Sequence, residues 1–522
     1  MASIYEAFSS ALEHYQAGQV GEAEQICRQI LAADESCASA WNFLGVIELG
    51  RRHFSAATKC IQTALRLVPD WAEAQNNLGL VLHDQGRLDL AAQYYRRALE
   101  LKPDFAEAHH NLGLVLHDAG RPVEAMEHYR RALAIRPDHA NAHVNLANAF
   151  KQLGELEEAI EHYRQAMAIR PDFAEAVHNL GSTYQAQGNY AEAVQCYERA
   201  IQLAPQFAEA HKNLSQLRLL LEDFSAGWDE YEWRWQTGEM HLPTFSQPVW
   251  IGESLRGKTI LLHAEQGLGD TLQFIRYARV VQERGAETVV LCPPRLVPLL
   301  SHTPGIDRLC GEVKDLPPFD YHIPLLSLPR QFQTTIDSIP ASGAYLFAAP
   351  ELVQHWRDRL DTNAALRIGV NWRGRSGERD FQLRDLPLAA LAELAKVPGV
   401  ELISLQRGEG REELLESAYP NAIIDLGEDV DTKNGAFMDT AAIMYAVDLV
   451  ITSDTAVAHL AGGLGVPVWV GLPFVPNWRW FLNRDTSPWY PTMRLFRQSK
   501  VNDWSGVFAE MAETLAQRVS QR

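Results

Sequence analysis

Two textures of apolar and polar positions divide this chain. Up to about residue 236 apolar residues recur at helical spacing, and the pattern repeats every 34 residues. Pro69, Pro103, Pro137, Pro171 and Pro205 keep that register. The first four open variants of one phrase: PDWAEAQNNLGLVLHDQG, PDFAEAHHNLGLVLHDAG, PDHANAHVNLANAFKQLG and PDFAEAVHNLGSTYQAQG. Gly86, Gly120, Gly154 and Gly188 fall in phase where a first helix ends and a left-handed cap is wanted. Ala91, Ala125, Ala159 and Ala193 let a second helix approach closely, and Tyr95, Tyr129, Tyr163 and Tyr197 are its bulky packing residues. Each proline then stops the second helix. The spacing predicts about seven helix pairs: a degenerate first unit over roughly 2–35, and a last one reaching through FSAGWDEYEWRWQ, where Gly227 and Tyr231 keep phase.

The second texture starts near residue 257, after a linker over 237–256. KTILLHAEQGLGDTLQFIRYARVVQERG reads as a buried strand, a glycine loop and an amphipathic helix. ETVVLCPP and DYHIPLLSLP are further short strands, a helix covers Ala349–Leu360, and LRIGVNWRGR opens a second set. GVELISLQRG, AIIDLG, DLVITSD and PVWVGLP follow, alternating with helical stretches. Strands alternating with helices predict parallel sheets covered on both faces. Two such sheets make a first lobe over 257–347 and a second over 348–522, with a cleft at the strand ends. The last helix, VFAEMAETLAQRV, is expected to cross back onto the first lobe.

Composition narrows the function. A length of 522 residues implies several domains, and a formal charge of −19 argues against a nucleic-acid backbone as partner. No apolar run approaches the ~18 residues of a membrane span, and the start shows no signal-peptide pattern. Six scattered cysteines without CxxC or zinc spacing suit reduced thiols in a cytoplasmic protein, and no metal is expected.

The 34-residue pattern resembles the tetratricopeptide repeat, whose stacked helix pairs form an α-solenoid. In that family the first helix of each unit lines the concave face. Asn77, Asn111, Asn145, Asn179 and Asn213 recur there, 34 residues apart, with Phe43 in the same place in an earlier unit. Such a ladder suits clamping the backbone of an extended peptide, because an amide offers both donor and acceptor. Bridging of neighbouring helices is the other role that fits.

In the second half, GLGDTLQF and SDTAVAHLAGGLGVP together resemble glycosyltransferases of the GT-B fold, closest to the heptosyltransferase-like family nine. With the repeats in front, the layout is similar to O-linked N-acetylglucosamine transferase. The resemblance implies two Rossmann-like lobes, a nucleotide-sugar donor and a hydroxyl acceptor. Asp270 matches the first-lobe aspartate that acts as general base, with Gly267 and Gly269 keeping its loop open to an acceptor. Asp454, Thr455 and His459 match the donor-binding Asp-Thr/Ser-Gly…His motif, although Ala456 stands where that motif has glycine. The backbone N–H groups of Thr455, Ala456 and Val457 open a helix and suit a diphosphate. Arg384 aligns with a diphosphate-contacting lysine, Arg373 and Arg375 add cations, and Gln406 ends a strand where the nucleotide lies.

The implied chemistry is metal-free, cofactor-free transfer of a sugar to a protein hydroxyl, with inversion, on an acceptor recruited by the repeats. A flagellar or surface protein is the expected acceptor. A lipid-linked or envelope glycan as acceptor, and a non-catalytic repeat scaffold, remain the two rival readings. Asp270 and Asp454 also suit helix caps, and His459 a buried core histidine. Trp478–Trp480 and Trp489–Pro491 read as packing.

Overall fold

The computed structural model describes residues 4–238, 244–341, 343–360, 366–374, 384–416 and 422–521. Fourteen helices occupy Ile4 to Tyr231, in the predicted pairs, and the chain divides into two compact units, Met1–Pro205 and Gln206–Arg522. Six pairs make up the first unit. Its left-handed turns extend further than the glycines do. Gly18, Gly86, Gly120, Gly154 and Gly188 have φ between 72° and 85°, and Arg52 takes the same place at 62°. The turn geometry is imposed by helix packing even where the residue resists it.

What fixes the pairs is a steric match between their helices. The alanines at 91, 125, 159 and 193 have no exposed surface, and the four tyrosines are buried. A β-carbon at Gly79 would lie 2.6 Å from the Tyr95 ring, and one at Gly113 2.5 Å from that of Tyr129. The tyrosine face thus rests directly on the backbone of the first helix.

The second unit begins with the seventh pair, Ala208–Leu220 and Phe224–Tyr231, which runs on into a 3-10 turn, Glu232–Gln236. The unit boundary at Pro205 therefore falls one pair before residue 236, because this pair is built into the α/β half. The Trp228 indole N–H donates to the Thr334 carbonyl at 3.0 Å, and its ring meets Trp478 edge-on at 5.4 Å. Arg234 is 1% exposed and forks onto the Glu265 carboxylate at 3.0 and 3.2 Å, with Ser327 at 2.7 Å.

One sheet holds β1 (Thr259–His263), β2 (Glu287–Leu291), β3 (Arg308–Cys310) and β4 (Tyr321–Pro324), all parallel, in the order β3-β2-β1-β4. Part of the expected linker joins it: the Trp250 amide donates to the His322 carbonyl, and the His322 amide to that of Pro248. A second sheet holds β5 (Leu366–Asn371), β6 (Val400–Ser404), β7 (Ile423–Ile424), β8 (Leu449–Thr452), β9 (Val468–Leu472), β10 (Thr486–Ser487) and β11 (Tyr490–Arg497), ordered β10-β11-β9-β8-β5-β6-β7. Only the β10–β11 pair is antiparallel. The last helix, Ser505–Ser520, stays on this sheet instead of crossing to the first. Its Val507, Phe508, Met511 and Leu515 complete the core of Ile368, Leu391 and Phe496, so its apolar face is used up where it stands.

All six cysteines are free thiols. Among the described residues no helix is long and apolar enough to cross a membrane.

Two substitutions in the repeats should move stability in opposite directions. Gly113→Ala forces a β-carbon into the Tyr129 ring and should cost about 1–3 kcal/mol. Arg52→Gly relieves a left-handed non-glycine residue and should add about 0.5–1 kcal/mol. Urea unfolding midpoints of the full chain check both signs.

Candidate functional site

The two motifs of the second half meet. Helix Leu268–Phe274 follows β1, and helix Ala456–Leu464 follows β8. A β-carbon at Gly269 would sit 3.1 Å from His459 Cδ2 and 3.3 Å from Ala456 Cα, so the GLGD turn lies across the opening turn of the second helix. A side chain at this position would make His459 or Ala456 give by a few tenths of an ångström. Where the sequence reading expected Gly267 and Gly269 to leave room for an acceptor, Gly267 is exposed and Gly269 is taken up by His459 and Ala456.

Asp270 is the third residue of its helix and reaches back to accept the Gly267 amide at 2.9 Å, half of a capping box. The cap role and a chemical role therefore coexist. Its other oxygen, Oδ1, accepts from Nη2 of Arg479, a residue the sequence reading left among packing tryptophans. Arg479 also donates from Nε to Gln273 Oε1 at 2.6 Å and from Nη1 to Asn477 Oδ1 at 3.0 Å, and lies 4.2 Å over the Trp478 ring.

His459 is buried. Its Nδ1 lies 2.9 Å from the Tyr490 hydroxyl and its ring stacks on Trp480 at 5.3 Å. Burial, with Arg479 and Arg276 nearby, holds it well below the ordinary histidine range, so it is neutral. Its Nε2 has no hydrogen bond among the described residues, nor have the amides of Thr455, Ala456 and Val457. Thr455 caps the helix in extended conformation while its hydroxyl donates to Asn371 Oδ1 at 3.0 Å. Ser453 Oγ and Asp454 Oδ2 are buried without a hydrogen-bond partner among the described residues. Arg384 Nη1 stands 3.6 Å from that carboxylate oxygen, so the cation expected at a diphosphate faces Asp454.

Two other candidates do different work. Gln406 is buried, and its Oε1 accepts from Asn371 Nδ2 and from the amides of Trp372 and Arg373. Its Nε2 donates to the carbonyls of Arg373 and Glu409. Both polar atoms of the side chain are spent on shaping the loop after β5. Arg373 is not a free cation either: Nε donates to Asp385 at 2.8 Å and Nη1 pairs with Glu413. Arg375 lies outside the described residues.

In the repeats the asparagine column bridges neighbouring units. Asn77 Nδ2 donates to Asn42 at 3.2 Å, Asn111 to Asn76 at 3.0 Å and Asn179 to Asn148 at 3.3 Å, while Asn145 meets His110 Nε2 at 2.8 Å. Asn213, in the second unit, is half-buried. Histidines pair beside the column. His109 Nε2 donates to the Pro103 carbonyl, which makes its Nδ1 an acceptor for the His128 Nδ1–H at 3.1 Å. His143 and His162 repeat the arrangement at 3.0 Å. Burial depresses all four, His128 to about 4, and burial with His139 brings His110 to about 4.

Known proteins resemble the chain chiefly through these repeats. Residues 8–52, 104–172 and 174–207 match the family described as Tetratricopeptide repeat, and 79–120 that described as TPR repeat. The first half carries tetratricopeptide repeats. Protein FlbA of Caulobacter vibrioides is 27% identical over 330 residues, which is 58% of this chain and 54% of that protein. The chain thus spans about half the length of the curated relative it matches. PilF of Pseudomonas aeruginosa aligns over 40% of this chain and 96% of its own at 21% identity, with a TM-score of 0.37. A thermophilic TPR protein of Thermus thermophilus aligns over 35% and 98% at 19% identity, with a TM-score of 0.31.

The histidines set an acid limit. They are neutral in the fold but titrate near 6.5 when unfolded, so the unfolded chain binds more protons between pH 6.5 and 4. Repeat stability should be complete above pH 6.5 and fall as pH drops through about 4; urea midpoints across that range, compared between wild type and His128→Gln, measure it. Asn111→Ala should cost about 0.5–1.5 kcal/mol through the lost inter-repeat bond.

Proposed function

We propose that the chain is a protein O-glycosyltransferase: a nucleotide-sugar donor binds the second lobe, and the repeats recruit the protein acceptor. In this reading the two sheets are the lobes of a GT-B fold. The observation that carries it is the seating of the GLGD turn, through Gly269 next to Asp270, against neutral His459 and the opening turn of helix Ala456–Leu464, whose first amides are unpartnered among the described residues. Those amides and the helix dipole suit a diphosphate. Asp270 takes the proton of the acceptor hydroxyl as its oxygen bonds to the anomeric carbon. The carbon–oxygen bond to the diphosphate breaks, and the electron pair leaves with the nucleotide. A single in-line displacement inverts the anomeric centre. The helix N-terminus and Arg384 supply the electrostatic stabilisation that the reading requires, without metal or cofactor. The acceptor lies along the concave repeat face, where Asn77, Asn111, Asn145 and Asn179 join neighbouring helix pairs.

The scaffold reading has its own support in the internal commitment of Gln406, Arg373 and the asparagine amides.

Thermal unfolding of the chain against uridine, guanosine, adenosine and cytidine nucleotide sugars separates the two. A donor at 100 times its Kd should stabilise the fold by about 2.7 kcal/mol. The shift should come from one nucleotide class and vanish in His459→Ala. Asp270→Ala should keep the shift and lose transfer. No shift with any donor makes the scaffold the better reading.

A further inference from the structure

The geometry points to Arg479 as the positioning residue for Asp270: a guanidinium from the second lobe that orients the base of the first, so that the base is set only when the lobes are seated together. This rests on the transferase reading above.

Three observations carry it. Arg479 is held on every side. Its own backbone amide donates to Asn477 Oδ1 at 3.2 Å, its Nη1 to the same oxygen, and its plane lies over Trp478. Two of its donors then reach one face of the helix Leu268–Phe274: Nη2 to Asp270, and Nε to Gln273 one turn on. Such a fork has little freedom to swing, so it fixes the carboxylate it touches.

Second, the pair leaves Asp270 usable. An ionised carboxylate has about four acceptor sites, of which Gly267 N–H and Arg479 take two. The Asp270 side chain is 20% exposed and that of Arg479 8%, so Arg479 stands on the enclosed side of the carboxylate.

Third, the pair joins residues 209 apart in sequence, one after β1 and one after β9. Opening the lobes parts Arg479 from both Asp270 and Gln273. The carboxylate then keeps only the Gly267 amide and loses the partner that fixes its second oxygen. A base oriented solely in the seated state acts on a hydroxyl only while the donor lobe is in place, which limits unproductive proton transfer.

The test uses the full chain and follows nucleotide release from UDP-N-acetylglucosamine, UDP-glucose, GDP-mannose and CMP-N-acetylneuraminic acid, with water as acceptor. With the donor that wild type turns over, Arg479→Met should lower kcat by about 10- to 100-fold with donor KM unchanged. Arg479→Lys should give an intermediate kcat, since it restores charge without the fork. An interaction that merely joins the lobes would lower the melting temperature and leave kcat at saturating donor in place. Wild-type kcat in Arg479→Met, or a loss confined to KM, overturns this assignment and leaves the transferase reading standing. No turnover of any donor by wild type overturns the transferase reading, and this assignment with it.

Discussion

The buried ion pair between Arg234 and Glu265 is the constraint on which the second unit is built. Neither side chain meets water, and stripping two charges of water costs several kcal/mol each unless the geometry returns it. Here it does. The guanidinium forks onto the carboxylate, Ser327 and the Tyr231 carbonyl take further donors, and the Leu326 amide satisfies Glu265 Oε1. Burial pushes the Glu265 carboxyl up, and Arg234 pulls against that. Either partner alone would be a stranded charge. The pair therefore sets the seventh helix pair and the loop after β1 in one arrangement, and that loop runs directly into Gly267 and Asp270.

From there the constraint passes between the two sheets through closely packed atoms. Gly269, lacking a β-carbon, lies directly against Ala456 and His459. His459 is pinned between Trp480 and Tyr490, and Tyr490 packs so tightly on Gly462 that a side chain there would collide with its ring. The arginine fork on Asp270 and Gln273 closes the circuit. Packed contacts of this kind favour a few discrete arrangements over gradual deformation.

What was legible in the sequence follows from the range of the forces involved. The repeats announced themselves because each contact is local and recurs: Tyr95 meets Gly79 sixteen residues back, and Tyr129 meets Gly113 at the same distance. Buried strands such as Leu449–Thr452 stood out as unbroken apolar runs. Tyr490–Arg497 did not, since Pro491 and two arginines interrupt it, and Arg308–Cys310 was too short to show a period. Asp270, Thr455 and His459 stand out in the sequence as candidates because each belongs to a turn motif of adjacent residues. Arg479 was invisible, because its partner is set by the docking of two sheets. Gln406 was misjudged for the same reason: its strand end was correctly located, but β5 lies beside β6 and brings Asn371, Trp372 and Arg373 to consume its amide.

The seam between the two sheets differs in charge from the rest of the chain. Arg276 is buried there and finds no carboxylate among its described contacts. Its donors go to the Gln273 and Trp489 carbonyls and the Tyr345 hydroxyl, and its face to the rings of Tyr345 and Tyr490. Arg479 has Asp270 as its one counter-charge among the described residues. Two buried cations against one carboxylate leave the seam positive inside a chain of net charge −19. Burial first keeps His459 neutral, and the same surplus adds to it, since a third cation beside Arg479 and Arg276 would be repelled by both. At a distance an anionic ligand meets repulsion that salt screens within about 8–10 Å. At the seam it meets fixed cations in a low dielectric, where attraction is strong and little screened. The attraction of an anion to such a surface depends on those few enclosed charges and on the helix N-terminus beside them, and hardly at all on the overall charge of the molecule.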